Sequence, residues 1–307
     1  MIKYFKKAFK ITNENIILTT PLILFVFIFN IYLWVAQSTK ENLLSAILVL
    51  CTILFMLSAF FAGWLFMVRK AIELDKKDFI MDEDRAKASF NLIKEFPIGI
   101  GEYFAPFIGA SIIYVGLFVL ILFIVHLIGM HFIGKVDLTP AQIKMTMGSH
   151  IVVQSLVASF SLEQLKKINA WLMLIVSVIP AFYFITMFWF SQIVFKTKNP
   201  LIAFFKSITF TFKNFLSAII LFMYVSFINL TVYYVILIAS NNYISHFIAT
   251  LIHFYFLVYV VVLIFLYYDR EHDRTNSQQI TETQSPCDSG TDSIGQDETG
   301  DTEGDSE

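Results

Sequence analysis

The sequence predicts an all-α, polytopic membrane protein with six transmembrane helices. Of its 307 residues, 57% are hydrophobic and 15% are charged, whereas an ordinary soluble domain is about 45–50% apolar and about 25% charged. Six apolar runs contain no Asp, Glu, Lys or Arg, and each is long enough to cross a hydrocarbon core about 30 Å thick. The predicted spans are residues 16–36, 43–68, 104–130, 170–195, 215–239 and 247–268.

The distribution of Lys and Arg predicts the orientation of these spans. Loops and termini on one side of the predicted bundle carry 17 Lys and Arg residues, and those on the other side carry 5. Because cytoplasmic segments are enriched in Lys and Arg, both termini are expected in the cytoplasm. The 34 Phe residues and the excess of Lys over Arg are typical of an AT-rich bacterial genome, which favours the bacterial cytoplasmic (inner) membrane.

Three cytoplasmic segments, residues 1–15, 85–96 and 201–215, have the pattern of basic amphipathic helices that lie in the headgroup plane. Their apolar positions are Ile2, Phe5, Phe9 and Thr12, then Ala86, Phe90, Ile93 and Phe96, then Leu201, Phe204, Phe205, Ile208, Phe212 and Phe215. Lysines on the opposite faces are predicted to contact anionic lipid. These candidate lipid contacts are Lys3, Lys6, Lys7, Lys10, Lys87, Lys94, Lys206 and Lys213.

Each amphipathic helix leads into an odd-numbered span, so an amphipathic helix followed by a helical hairpin occurs three times. Thr12 and Asn15 match Thr211 and Asn214 at one offset, while the middle copy matches in pattern alone. This order favours three helical-hairpin repeats.

The loop over residues 131–169 and the C-terminal tail have their own patterns. Capping sequences begin at Thr139 and Ser161, and the second predicts a helix that continues unbroken into the fourth span. Residues 151–160 are apolar but too short to cross the membrane. The tail, residues 269–307, carries a net charge of −10 with almost no apolar residues, and is predicted to be disordered and cytoplasmic.

Small residues in the second span predict a helix-packing face. Ser58, Ala59, Ala62 and Gly63 form overlapping pairs of small residues four positions apart. Such pairs allow helix backbones to approach closely in a membrane.

Four polar residues fall in the outer half of their spans: Asn30, His126, Asn229 and His253. Uncompensated polar groups are costly in hydrocarbon, so these side chains are expected to face the bundle interior. Two interpretations remain open. The four residues either form interhelical hydrogen bonds or line a small polar cavity that opens to the outer leaflet.

No catalytic motif is present in the sequence, and nothing in it calls for a cofactor, a metal ion or nucleic acid. An enzyme is therefore the least favoured class. The expected function is that of a non-enzymatic factor acting on lipid or on a membrane partner, in assembly, homeostasis or as a scaffold. The alternative is a transporter or permease for a neutral or lipid-like substrate. The expected partners are anionic lipids, together with a membrane protein or a second copy of the chain.

One stretch resembles a known family. Residues 198–207 read KNPLIAFFKS and lead through a Phe-rich amphipathic helix into a span. This resembles a recurring feature of bacterial six-span proteins that are similar to the membrane domain fused to some glycerophosphoryl diester phosphodiesterases. As a pattern, the resemblance covers residues 1–268. It implies an all-helical membrane bundle, supplies no functional residues, and is not accompanied here by a phosphodiesterase domain.

The predicted orientation can be tested with fusion reporters. We expect a reporter that is active only in the cytoplasm to work after Asp78, Lys198 and Asp273, because these positions lie on the Lys- and Arg-rich side.

A reporter that is active only in the periplasm provides the control, and it should work after Lys40, Thr146 and Asn241. A cytoplasmic result at Thr146 would contradict the six-span topology, since that position lies between the third and fourth spans.

Overall fold

The structure, a computed structural model, describes residues 1–37, 42–77, 79, 81–136, 160–240 and 242–283. The regular elements in this part of the chain are helices. They are α1 (Ile2–Glu14), α2 (Thr19–Gln37), α3 (Leu43–Asp75), α4 (Asp82–Asn91), α5 (Glu95–Phe132), α6 (Leu162–Thr186), α7 (Trp189–Phe195), α8 (Pro200–Lys213), α9 (Phe215–Ala239) and α10 (Tyr243–Thr283).

The six-span, all-α prediction is confirmed. Six helical segments are long and apolar enough to cross a membrane, so the chain is a multi-pass membrane protein. They correspond to α2, α3, α4 with α5, α6 with α7, α9 and α10. Most of their surface faces outwards and is apolar, as expected of helices whose solvent is lipid. The three amphipathic helices are α1, α4 and α8.

The helix predicted to run from Ser161 into the fourth span is present, and the span contains a break that the sequence does not indicate. The capping box at Ser161 is present: its side chain accepts from Gln164 N, while the Gln164 side chain accepts from Ser161 N. Helix α6 then continues into the span, but it ends at Thr186 and the chain restarts as α7 at Trp189. The Thr186 hydroxyl donates to the carbonyl oxygen of Phe182. The same bond occurs at Thr52 and Thr231 within unbroken helices, so it does not by itself explain the break, which lies inside an apolar run and is not revealed by composition.

Helix α10 continues past residue 268, where the sequence predicts the membrane domain to end. Extending an existing helix requires no new nucleus, so a polar segment can follow an apolar span in one helix. The chain divides into two units after Asp269. In the second unit the described residues, 270–283, are helical. Residues 284–307 of the predicted disordered tail lie outside the described residues, as do the predicted cap at Thr139 and residues 151–159.

The most extensive helix contact joins α3 and α5. A Cβ placed on Gly99 would lie 2.6 Å from the Phe66 Cβ and 2.9 Å from the Ala62 carbonyl oxygen, and Gly63 Cα is 3.0 Å away. Farther along the same pair, the hydroxyls of Ser58 and Ser111 lie 3.1 Å apart. The predicted small-residue face of the second span is therefore the face that packs against the third span.

The amphipathic helices bury a different face from the predicted one. Mostly small and hydroxyl-bearing residues pack against the bundle, whereas several aromatic residues assigned to the apolar face are exposed; Phe5, Phe96 and Phe204 are half-buried against the core. The buried set on α1 and α8 is Ala8, Ile11, Thr12, Ala203, Ser207 and Thr211. Phe9 is 49% exposed, Phe90 69% and Phe205 63%. The sequence pattern misassigned these faces because, in a membrane, large apolar side chains face lipid and small ones allow helices to meet.

The amphipathic helices pack against the membrane spans and against one another. On α1, Phe5 stacks on Tyr224 of α9, with ring centroids 4.0 Å apart. On α4, the Ser89 hydroxyl donates to the carbonyl oxygen of Glu14 at the end of α1. At the start of α8, the Pro200 carbonyl oxygen accepts from Trp189 Nε1 of the second hairpin at 2.9 Å.

The predicted correspondence between α1 and α8 extends to hydrogen bonds. Thr12 and Thr211 each donate to the carbonyl oxygen four residues earlier at 2.9 Å. Asn15 and Asn214 do the same at 2.9 and 3.1 Å. The equivalent bonds support a repeat in which an amphipathic helix precedes each hairpin.

Two glycines of α5 allow a controlled test of the α3–α5 contact. We expect Gly99→Ala to lower the free energy of unfolding by about 1–3 kcal/mol, because the added methyl overlaps Phe66 and the Ala62 carbonyl. Thermal unfolding of the purified protein in one detergent measures the change.

Gly101→Ala is the matched control, since nothing lies within 4 Å of a Cβ at that position. Alanine favours a helix over glycine, so the control should be neutral or slightly stabilising. Equal stability of the two variants would contradict the close contact.

Candidate functional site: a basic end and an intramembrane cavity

The amphipathic helices gather at one end of the bundle, which we call the basic end. It comprises α1, α4, α8 and the ends of α3, α5 and α7 that meet them. Seven of the eight candidate lipid-contacting lysines are exposed there: Lys3, Lys6, Lys10, Lys87, Lys94, Lys206 and Lys213. Exposed Phe side chains accompany them on all three helices. Lys10 lies 3.8 Å from the Glu14 carboxylate but stays exposed. The basic end therefore combines exposed ammonium groups with bulky apolar side chains, the combination typical of interfacial helices.

Lys7 is the exception. Its ammonium lies 2.5 Å from the Asp75 carboxylate, which is only 6% exposed. Arg85 reaches the same carboxylate at 3.5 Å and also pairs with Glu14. The Lys7 charge is thus neutralised within the protein and joins α1 to α3. Removing one member of such a buried pair leaves the other uncompensated, so this cluster stabilises the fold.

Further ion pairs join other helices at this end. Lys76 Nζ lies 2.6 Å from Asp269 Oδ2, which ties the end of α3 to α10. Lys198 Nζ lies 3.0 Å from Glu102 Oε1 and 5.3 Å from the centre of the Tyr103 ring. The loop before α8 is thereby fixed to α5.

Arg69 is the polar centre of the basic end. Its Nε donates to Glu73 at 2.7 Å, and its Nη1 donates to the Tyr103 hydroxyl at 3.0 Å and to the Val194 carbonyl oxygen at 2.8 Å. Val194 lies in the last turn of α7, where carbonyl groups lack intrahelical partners and a cation is favourable. Arg69 therefore joins α3, α5 and α7, and its charge has a structural role that loop counting does not reveal.

A cavity of about 780 Å³ lies among α3, α5, α6, α7, α9 and α10. None of its lining residues is charged, and most are apolar. The lining residues with a side-chain hydroxyl or amide are Ser111, Tyr114, Tyr183, Thr186, Ser226 and Asn229. Asn229 lies about 15 Å along α9 from its far end, near the middle of a core about 30 Å thick. The break between α6 and α7 borders the cavity, because both Met187 and Trp189 line it.

Of the four polar residues predicted to lie together, Asn229 lines this cavity and the other three are not among its lining residues. Asn30 is exposed on α2 and donates to the Val26 carbonyl oxygen in its own helix. The exposed His126 has its ring 5.9 Å from Trp171. His253 is half-buried on α10, beside Phe254.

Two of the six hydroxyl- or amide-bearing side chains at the cavity form hydrogen bonds with other described residues. Ser111 pairs with Ser58, and Thr186 donates within α6. Asn229 and Ser226, one turn apart on α9, form no hydrogen bond with the rest of the described chain, and both line the cavity. An amide without a partner in an apolar environment is unfavourable by a few kcal/mol.

The sequence did not identify the aromatic and hydroxyl residues of the cavity, such as Tyr114, Tyr183 and Ser226. They lie on three different helices, α5, α6 and α9, and each is ordinary within its own span. Their spacing therefore carries no recognisable pattern. Within the residues that the structure describes, no three His, Cys, Asp or Glu side chains are grouped so that they could hold a metal ion.

Comparison with known proteins adds no family to this description: no family model matches the chain, and neither a curated protein nor a solved structure was found that matches it.

Proposed function

We propose that this chain is a non-enzymatic protein of a bacterial cytoplasmic membrane whose basic end faces the cytoplasm and binds anionic lipid headgroups. Its role would be that of an assembly, homeostasis or scaffold factor that acts on lipid or on a membrane partner. The orientation rests on the excess of Lys and Arg at the basic end.

The observation that carries the proposal is how the residues of the amphipathic helices are distributed: some pack against the bundle, while Phe and Lys side chains are exposed. On α1, Ala8 and Thr12 pack against the bundle, Phe9 is exposed, and Lys6 and Lys10 are exposed on a further part of the helix. The Phe9 ring meets the rings of Tyr255 and Tyr259 on α10 edge-on, at centroid distances of 6.3 and 6.2 Å, and the rest of it is exposed. The arrangement suits a helix held at the headgroup level, with Phe toward acyl chains and Lys toward phosphates.

The fixed positions of these helices also support lipid binding. Ion pairs and hydrogen bonds of Lys7, Arg85 and Ser89 attach α1 and α4 to the bundle. The exposed lysines are therefore held at one level before any lipid arrives, which lowers the entropic cost of binding. Each lysine near an anionic surface contributes about 1 kcal/mol.

Charge removal on α1 tests the proposal. We expect the triple variant Lys3→Gln, Lys6→Gln and Lys10→Gln to retain several-fold less phosphatidylglycerol than the unmodified protein, because three exposed cations are lost. Lys7 stays unchanged because its partner Asp75 would otherwise be left unpaired. The measurement is lipid mass spectrometry of protein purified from vesicles of phosphatidylcholine and phosphatidylglycerol.

A triple variant at the opposite end is the matched control: Lys135→Gln, Lys166→Gln and Lys167→Gln remove the same charge away from the amphipathic helices. It should retain the normal amount of phosphatidylglycerol. A cytoplasmic reporter after Lys198 verifies that the α1 variant keeps its orientation. Normal lipid retention by a correctly oriented α1 variant would refute the proposal.

A further inference from the structure

We propose that the intramembrane cavity is a binding site for a neutral amphiphile with one acyl chain and an uncharged hydrogen-bonding headgroup, such as a monoacylglycerol. This site is separate from the basic end, and the ligand differs in charge from the lipids proposed to bind there. The inference therefore does not rest on the proposed function.

The size and lining of the cavity suit an acyl chain. Its volume of about 780 Å³ falls within the range of about 300–1,000 Å³ that is typical of small-molecule sites. Leu54, Leu57, Val115 and Phe222 contribute apolar surface from three helices. An acyl chain meets there an environment as apolar as the bilayer it leaves, so it enters without a desolvation cost, and its dispersion contacts fill the space.

The absence of charge in the lining determines the headgroup. The cavity lies in the membrane-spanning part of the bundle, and no Lys, Arg, Asp or Glu is among its lining residues. A phosphate or ammonium brought to this depth would be uncompensated, which is strongly unfavourable. The ligand that fits is therefore neutral.

Asn229 specifies a hydrogen-bonding group on that ligand. Other amides and hydroxyls of the described helices satisfy themselves by donating to the carbonyl four residues earlier, as Asn30 and Thr231 do. Asn229 forms no such bond within the described chain, although it lies on the same helix as Thr231. Its carboxamide, with the Ser226 hydroxyl one turn away, offers donors and acceptors to a hydroxyl or ester placed in the cavity.

Photolabelling tests the inference in the full chain. The probe is a monoacylglycerol with a diazirine in its acyl chain, added to the protein in phosphatidylcholine vesicles and located by peptide mass spectrometry. We expect labels on the cavity-lining positions of α5 and α9, removed by excess unlabelled monoacylglycerol. We expect Asn229→Leu to reduce this labelling about fivefold, as the loss of one hydrogen bond predicts.

Asn30→Leu is the matched control, because Asn30, like Asn229, is an exposed Asn of a span, but it lies away from the cavity and bonds within its own helix; its labelling should equal that of the unmodified protein. Ser226→Phe, which places a ring in the cavity, should also reduce labelling while thermal unfolding shows that the variant is folded. The triple lysine variant of α1 should label normally, so this test and that of the basic end can fail separately.

Three results would overturn the inference. The first is labelling spread over the lipid-exposed surface of all spans. The second is unchanged labelling in a folded Asn229→Leu variant, which would leave water as the partner of the amide. The third is equal labelling of the same positions by a phosphatidylcholine that carries the diazirine, which would show that bulk lipid chains fill the cavity without recognition.

Discussion

Close approach of α3 and α5 at Gly63 and Gly99 is the contact on which most of the other contacts depend. Lipid is as apolar as a leucine side chain, so helices in a membrane gain little from hiding apolar surface from one another. They associate where backbones can come close, and here two glycines remove the side chains that would keep them apart. With α3 held in this way, Trp64 Nε1 reaches the Leu18 carbonyl oxygen at 2.9 Å. One turn farther on, Arg69 reaches α5 and α7.

The same preference for small residues explains the amphipathic helices. In water, the face of a surface helix that carries Phe would be the one that packs against the protein. In this chain the solvent beside the bundle is lipid, so Phe90 and Phe205 face outwards and Ala203 and Ser207 face inwards. Each helix thus meets three environments: protein, hydrocarbon and water. That arrangement keeps the lysines and the aromatic rings available for lipid while the helices stay attached to the bundle.

Most polar side chains within the spans are hydrogen-bonded, because hydrocarbon offers them no partner. A hydroxyl or amide in hydrocarbon needs a partner, and the nearest is a carbonyl of its own helix. Thr52, Thr231 and Asn30 each donate to the carbonyl oxygen four residues earlier in their own helix. The Ser58 and Ser111 hydroxyls form a hydrogen bond with each other across the α3–α5 contact. Asn229 forms neither kind of hydrogen bond within the described chain and lines the cavity instead.

Composition and local pattern determined the class of this protein, its six spans, the three amphipathic helices and the capping box at Ser161, because each follows from residues close in sequence and from the length of a helix that crosses a membrane. The small-residue face of α3 was also readable, since its spacing is that of one helix. The roles of Lys7 and Arg69 and the half-exposed position of Phe9 depend on residues of other helices, and no local pattern indicates the break after Thr186. The cavity depends on where helices fail to meet. No single span encodes that space, so tertiary structure alone brought Asn229 to it and left Asn30, His126 and His253 elsewhere.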